Sequence, residues 1–235
     1  MGFEEPLFSQ GFFPCIMKTC IKSINGSKGK LSINECEMTP IKKTIVNRKT
    51  EYKVHNLFVN RWSPRALSGA DISDEELMSL FEAAKWAPSA FNNQPWRFVY
   101  AKRDTKQWTV FFNLLSDNNK LWTKNAAVLI LVVSKKIFEY NGQPSITHSF
   151  DTGAAWQNLA LQASTLGLVA HGMQGFDYEK AKKELKIPNE YQIEAMIAVG
   201  KPGKKEDLPL KLQEREIPSQ RKKISEFVFE GEFKK

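Results

Sequence analysis

The run AAVLILVVS, residues 126–134, constrains this chain more than any other stretch. It is continuously apolar and rich in β-branched residues, with no polar alternation that would leave one face to water. Such a run is the signature of a central strand covered on both faces, and it is far too short to span a bilayer. The flanking sequence supplies helices and further strands. DISDEELMSLFEAAKWAP (71–88) places Ser73 as N-cap with Glu76 three residues on, a capping box, and Ile72 and Leu77 at the staple positions. Leu77, Leu80, Phe81 and Ala84 share one helical face, and Pro88 stops the helix. RFVYAKR (97–103) alternates as a half-buried strand. DTGAAWQNLALQASTLGL (151–168) is helical and apolar on nearly all sides, which predicts a buried core helix. DYEKAKKELKIP (177–188) reads as a surface helix capped by Asp177. IEAMIAVG (193–200) reads as a strand, and SEFVFEGEF (225–233) alternates like an edge strand. Strands and helices interleave, so the expected class is α+β or α/β with a mixed sheet.

The chain has 235 residues, 42% hydrophobic and 26% charged, which suits a globular protein with one large domain or two small ones. Sustained periodicity begins near residue 52. Residues 1–50 are therefore expected to form an N-terminal extension, and residues 51–235 the domain proper. SINGSKGK (23–30) is loop-like, and Met38 stands as an alternative start of translation. Cys15, Cys20 and Cys36 are odd in number and irregularly spaced, which argues for free thiols over a disulfide framework or zinc site. Glu4 and Glu5 occupy the place where a signal peptide needs positive charge. Pro6 occupies the place where a myristoylation motif needs Ser or Thr. A cytoplasmic protein with no membrane segment is the expectation.

Net charge is +8, which suits an anionic ligand, a nucleic acid or a solvated surface. No Walker loop and no GxGxxG occurs. The polar segments sit at junctions between elements, where a ligand can meet exposed backbone and side chains. NRWSPRALSG (60–69) offers Arg61, Ser63 and Arg65 on alternate residues, which point to one side if the segment is extended. Two guanidinium forks and a hydroxyl would suit a phosphate; the alternative is a solvated basic loop. SQRKKISEF (219–227) adds Arg221, Lys222 and Lys223, either as part of a site or as a solvated face. WAPSAFNNQPWRF (86–98) sets small polar side chains between two prolines, directly before a strand. VAHGMQGFD (169–177) brackets Met173 and Gln174 between Gly172 and Gly175. It is either an ordinary strand-to-helix turn or a place where backbone N–H groups meet a ligand.

RWSPR, WAPSAFNNQPWRF, DTGAAWQNLALQASTLGLVAHGMQGFD and SQRKKISEFVFEG together resemble the flavin-dependent nitroreductase family, in order and in spacing, over residues 52–233. The resemblance implies an α+β, three-layer α/β/α fold with a mixed, mainly antiparallel sheet, built as an intertwined homodimer with FMN at the interface. It implies that Arg61, Ser63 and Arg65 hold the FMN phosphate and ribityl chain, and that Arg221 and Lys222 close over the same phosphate. Pro88, Ser89 and Asn92 would reach the flavin of the partner subunit, and the Gly175 N–H would face flavin N5. Trp62, Gln94, Met173 and Gln174, in the same stretches, complete the implied cofactor-binding set. Gln174 is a departure, since many members of the family carry Glu there. No side chain is implied as nucleophile or general base. The activity implied is ping-pong transfer of hydride from NADPH or NADH, through flavin N5, to an electron-poor small molecule such as a nitroaromatic or quinone. A same-fold enzyme that dehalogenates, dehydrogenates or processes flavin is the first alternative. A basic nucleic-acid-binding domain is the second, and it calls for aromatics interleaved with basic residues on one surface, whereas the aromatics here fall in core-like elements. The expectation is accordingly a protein without nucleic-acid partners.

Overall fold

The computed structural model describes residues 48–234. Cys15, Cys20, Cys36, Met38 and all but the last three residues of the expected extension lie outside that range. The described residues fall in one compact unit, Ile41–Lys235, so Arg48 belongs with the domain although the sequence reading assigns it to the extension.

The elements are α1 (Asn56–Asn60), α2 (Asp74–Lys85), β1 (Trp96–Lys102), α3 (Lys106–Leu114), α4 (Asp117–Thr123), β2 (Val128–Lys135), α5 (His148–Thr165), β3 (Val169–Met173), α6 (Tyr178–Glu184), β4 (Tyr191–Gly200) and α7 (Leu210–Gln213). The sheet order is β1-β2-β4-β3. Every pairing among these strands is antiparallel, so the described sheet is not mixed.

The apolar run becomes β2, central in the sheet and buried from Val128 to Ser134. Its alternation sorts it between two layers. Leu129, Leu131 and Val133 join a cluster with Phe111 and Leu114 of α3, Trp122 of α4 and Ala181 of α6. Val128, Ile130 and Val132 join the opposite cluster with Leu77, Leu80 and Ala84 of α2 and Ala155, Leu159 and Ala163 of α5. Each of the buried Val, Leu and Ile side chains of β2 contributes roughly 1.5–3 kcal/mol by leaving water, which is why a strand with no polar face needs helices on both sides. The result is three layers, α/β/α. A bulge opposite Val132/Val133 breaks the β2–β4 register at Glu194 and presents Ala195 to the cleft described below.

The capping box of α2 forms as expected. Ser73 Oγ accepts from Glu76 N–H at 3.0 Å, and Glu76 Oε2 accepts from Ser73 N–H at 2.7 Å. Asp177 caps α6 by accepting from Lys180 N–H at 2.9 Å.

Two expectations require correction. Helix α5 is not buried on all sides: Asp151, Thr152, Ala155, Leu159, Ala160 and Ala163 face the core, whereas Gly153 and Gln157 are exposed and Phe150 is 80% exposed. The segment 225–233 is not a strand in this chain. Ile224–Glu226 form a 3-10 turn, and Phe227, Val228 and Phe233 stay exposed. Alternation alone does not make a ladder, which also needs a paired neighbour, and no described strand pairs with this segment. No helix of the described residues is long and apolar enough to cross a membrane.

Candidate functional site

Between α1 and α2 the chain runs without helix or ladder through Arg61, Trp62, Ser63 and Arg65, and all four line one cavity of about 260 Å³. The far end of the chain returns to the same place with Arg215, Ser219 and Arg221, and Arg48 enters from the N-terminal side. Five arginines thus line one small space. Arg61 Nη1 donates to Ser63 Oγ at 3.1 Å, orienting both. Burial lowers the Arg61 pKa, and the Arg221 charge lowers it further. The pKa of Arg48 is lowered by burial and then by Arg221 and Arg61.

Among the described residues, counter-charge is scarce. Glu216 is the acidic partner, but its Oε1 accepts the backbone N–H groups of Arg65 at 2.7 Å and Ala66 at 2.8 Å. Its Oε2 makes no hydrogen bond and stands 3.9 Å from Arg65 Nη1. The carboxylate is committed to shaping the Arg65 turn and leaves most of the guanidinium charge uncompensated. A cavity of this kind suits a multiply charged anion, for which each charge-assisted hydrogen bond is worth about 1.5–3 kcal/mol.

His171 of β3 also lines the cavity. Burial, reinforced by Arg65 and Arg61, pushes its pKa down to about 4 although a hydrogen bond to Pro64 O opposes the shift. The ring is therefore neutral at pH 7. Pro64 O can only accept, so Nδ1, 3.0 Å away, carries the proton and holds the Ser63–Arg65 turn against β3.

A second cleft, of about 410 Å³, shares Arg61 and Ser63 with the first and continues along Trp156, Gln157, Gly172, Met173, Gln174 and Ala195. An elongated ligand with an anionic end and a planar body would fit the two together. Gly172 and Gly175 are demanded first by the protein itself. A Cβ on Gly172 would lie 3.2 Å from the Trp156 ring, and one on Gly175 would lie 2.8 Å from Asn119 Nδ2 and 3.0 Å from Ser116 Oγ. Gly175 O accepts from Ser116 N–H at 2.9 Å and Asn119 Nδ2 at 3.0 Å, while its own N–H has no acceptor among the described residues.

The Pro-Ser/Asn-x-Gln-Pro segment lies apart from both spaces. Asn92 and Gln94 line a third cavity, of about 310 Å³, with Phe91 and Tyr140. Phe91, Asn92 and Gln94 all take left-handed backbone, with φ of 51°, 53° and 49°, a conformation that costs of order 1–3 kcal/mol per residue. The loop is held by Ser89 Oγ accepting from Gln94 N–H at 3.0 Å and by Ala90 N–H donating to the buried Asp151 at 3.0 Å. Pro88 is exposed.

Arg61, Trp62, Ser63, Arg65 and Arg221 are therefore brought together, and Met173 and Gln174 adjoin them. Gly175 follows in the same turn. Lys222 is exposed and lines none of these cavities, and Pro88, Ser89, Asn92 and Gln94 stand elsewhere on the chain. Arg48, Arg215, Ser219, Trp156 and Gln157 were missed. Arg48 and Arg215 sit in mixed-charge stretches without period, where no local signal marks them.

Comparison with known proteins fits this geometry. Residues 58–107 and 104–201 match the Nitroreductase family. Protein DrgA of Synechocystis is 30% identical over 164 residues, covering 59% of this chain and 77% of that protein. An Archaeoglobus fulgidus protein provisionally named NADH dehydrogenase/NAD(P)H nitroreductase is 28% identical over 155 residues, 64% of this chain and 86% of its own. A crystal structure described as an oxidoreductase containing FMN superposes with a TM-score of 0.77 at 47% identity, over 80% of this chain and 96% of the other.

Proposed function

The chain belongs to the nitroreductase family, and on that premise we propose that it is an FMN-dependent oxidoreductase. It would carry hydride from NAD(P)H to an electron-poor small molecule, such as a nitroaromatic or quinone, in a ping-pong order. The observation that carries this reading is the five-arginine cavity opening into the Trp156–Gln174 cleft through the shared Arg61 and Ser63. The residues fit FMN, whose phosphate monoester is a dianion on a flexible arm attached to a flat ring system. When bound, FMN supplies the redox chemistry by accepting and releasing hydride at N5.

The chain's own residues bind and orient. Arg61, Ser63, Arg65 and Arg221 would take the phosphate, with Lys222 close by in the same tail. Met173, Gln174 and Trp156 would flank the ring. The Gly175 N–H, lacking an acceptor among the described residues, is available to a ring nitrogen. The Gln174 amide brings no charge to the ring edge, unlike the Glu common in the family. Neutral His171 keeps the turn in place and requires no catalytic part.

We extend the proposal to a homodimer in which Pro88, Ser89, Asn92 and Gln94 meet the flavin of the partner, in a cytoplasmic setting where NAD(P)H is available. Support comes from that loop sharing no lining residue with the arginine cavity in the chain's own fold and from the open face of α5. Ile146, just before that helix, and Phe150, in its first turn, are 91% and 80% exposed and would be covered by a second subunit. The arginines converge on a cavity and do not spread over a surface, which argues against the nucleic-acid reading.

The test is titration of the apoprotein with FMN and riboflavin, followed by steady-state assay of the loaded protein with NADH and NADPH against nitro, quinone and enal acceptors. FMN should bind far more tightly than riboflavin, and at least one acceptor should turn over by ping-pong kinetics. A protein that binds no flavin would overturn the proposal.

A further inference from the structure

The Nitroreductase family match runs from residue 58 to residue 201, yet three of the five arginines at the anion cavity lie outside it. Arg48 is the most informative of these. Its Nε donates to Ser219 O at 2.9 Å, and its Nη1 donates to Val59 O and Arg61 O, each at 2.9 Å. One side chain thus ties the turn that carries Arg61 to a segment 171 residues distant that carries Arg221. These three bonds use Nε–H and Nη1. The Nη2 amino group has no acceptor among the described residues, and Arg48 lines the cavity.

A second bond reinforces the first. Glu51, three residues further along, accepts the Ile224 N–H at 2.9 Å, just beyond Arg221, Lys222 and Lys223. Among the described residues, Arg221 hydrogen-bonds to Ser219 and Gln220 beside it, and Phe227, Val228 and Phe233 are exposed. Arg48, Arg61 and Arg221 line the same cavity, and beyond burial the Arg221 charge disfavours the ionised forms of Arg48 and Arg61, so an anion between them would relieve this repulsion.

We propose that Arg48 is a further ligand for the anionic end of the cofactor and, with Glu51, a clasp that holds the C-terminal segment over it. This rests on the FMN reading above. The cavity is then completed from both ends of the chain: the N-terminal segment positions the tail, and the anion neutralises the repulsion that would otherwise open it. Lysine cannot replace Arg48, because a single ammonium cannot span three carbonyls and still face the cavity.

The experiment uses the full chain and three variants, Arg48→Ala, Arg48→Lys and Glu51→Ala. Flavin fluorescence gives the Kd for FMN and for riboflavin. Brief trypsin digestion, with and without FMN or inorganic phosphate, reports cleavage after Arg221, Lys222 and Lys223. In the parent protein FMN should protect the tail and bind much more tightly than riboflavin. Arg48→Ala should weaken FMN by ~10- to 100-fold, the loss of one charge-assisted contact, with riboflavin affinity changed less than about twofold. Arg48→Lys, which keeps the charge and guards against a folding defect, should still leave the tail cleaved faster with FMN present. Glu51→Ala should speed cleavage with a smaller loss of FMN affinity. Equal FMN affinity and equal tail protection in all three variants would overturn the clasp. A parent protein that binds riboflavin as tightly as FMN would instead remove the phosphate reading itself, and the clasp with it.

Discussion

His171 makes the anion cavity testable through pH. Its pKa in the folded chain is about 4, against 6.5 for an ordinary imidazole, with burial as the main cause. Between those values the unfolded chain binds a proton that the folded chain does not. Stability therefore rises with pH across this window, is fully present above about pH 6.5, and is lost as pH falls through 4. A displacement of about 2.5 units at 1.36 kcal/mol per unit corresponds to about 3 kcal/mol, a large share of the 5–15 kcal/mol that stabilises a typical domain. The perturbation is His171→Asn, whose amide can still donate to Pro64 O as Nδ1 does but cannot titrate. Urea unfolding of the apoprotein at half-unit steps from pH 7.5 to 4 gives the slope for each protein. Carboxylates titrate in the same range and affect both, so the difference between the two curves isolates His171. That difference should fall by about 3 kcal/mol between pH 7 and 4 in the parent relative to the variant. Saturating inorganic phosphate should shrink it, because an anion beside the imidazole favours the protonated ring. Parallel curves would refute the assignment of a buried, neutral His171 at a cationic cavity.

Replacing Arg61 or Arg65 with Ala should weaken FMN by roughly 1.5–3 kcal/mol while leaving the thermal unfolding of the apoprotein nearly unchanged; undiminished affinity on titration would show that the phosphate lies elsewhere. Truncation before Ser225 removes the exposed Phe227, Val228 and Phe233 and should lose dimer and flavin together in sedimentation with absorbance detection at a flavin wavelength. A stable monomer with full FMN occupancy would count against the shared interface. NADPH should be preferred over NADH by about tenfold in kcat/KM, or about 1.4 kcal/mol, with Lys120 and Lys124 as candidate partners of the 2′-phosphate. Raising salt should erode that preference, since exposed charges are screened within about 8 Å; a preference for NADH, or one indifferent to salt, would contradict general basicity as its source.

What the sequence determined by itself was local. The continuous apolar run of Val128–Val133 demanded cover on both faces. Its placement between α2 and α5 on one side and α3, α4 and α6 on the other follows from the period of two in side-chain direction. Ser73 with Glu76, and Asp177, announced their helix starts because a cap acts on backbone groups within one turn. Arg61, Ser63 and Arg65 were legible as a trio because three close neighbours in sequence must remain neighbours in space. Tertiary structure decided the rest. Arg48 and Arg215 joined the cavity only when loops separated by more than 150 residues closed on one another, and Glu216 shaped the Arg65 turn from the same distance. Charged residues carry no period, so no window of sequence distinguishes these from the other lysines and arginines of a basic chain. Helix α5 looked apolar all round, yet this fold has elements enough to cover only one of its faces. The tail alternated like a strand but forms no ladder within the chain, because alternation sets which face a side chain takes and not which strand it meets, and neither edge strand, β1 or β3, pairs with it.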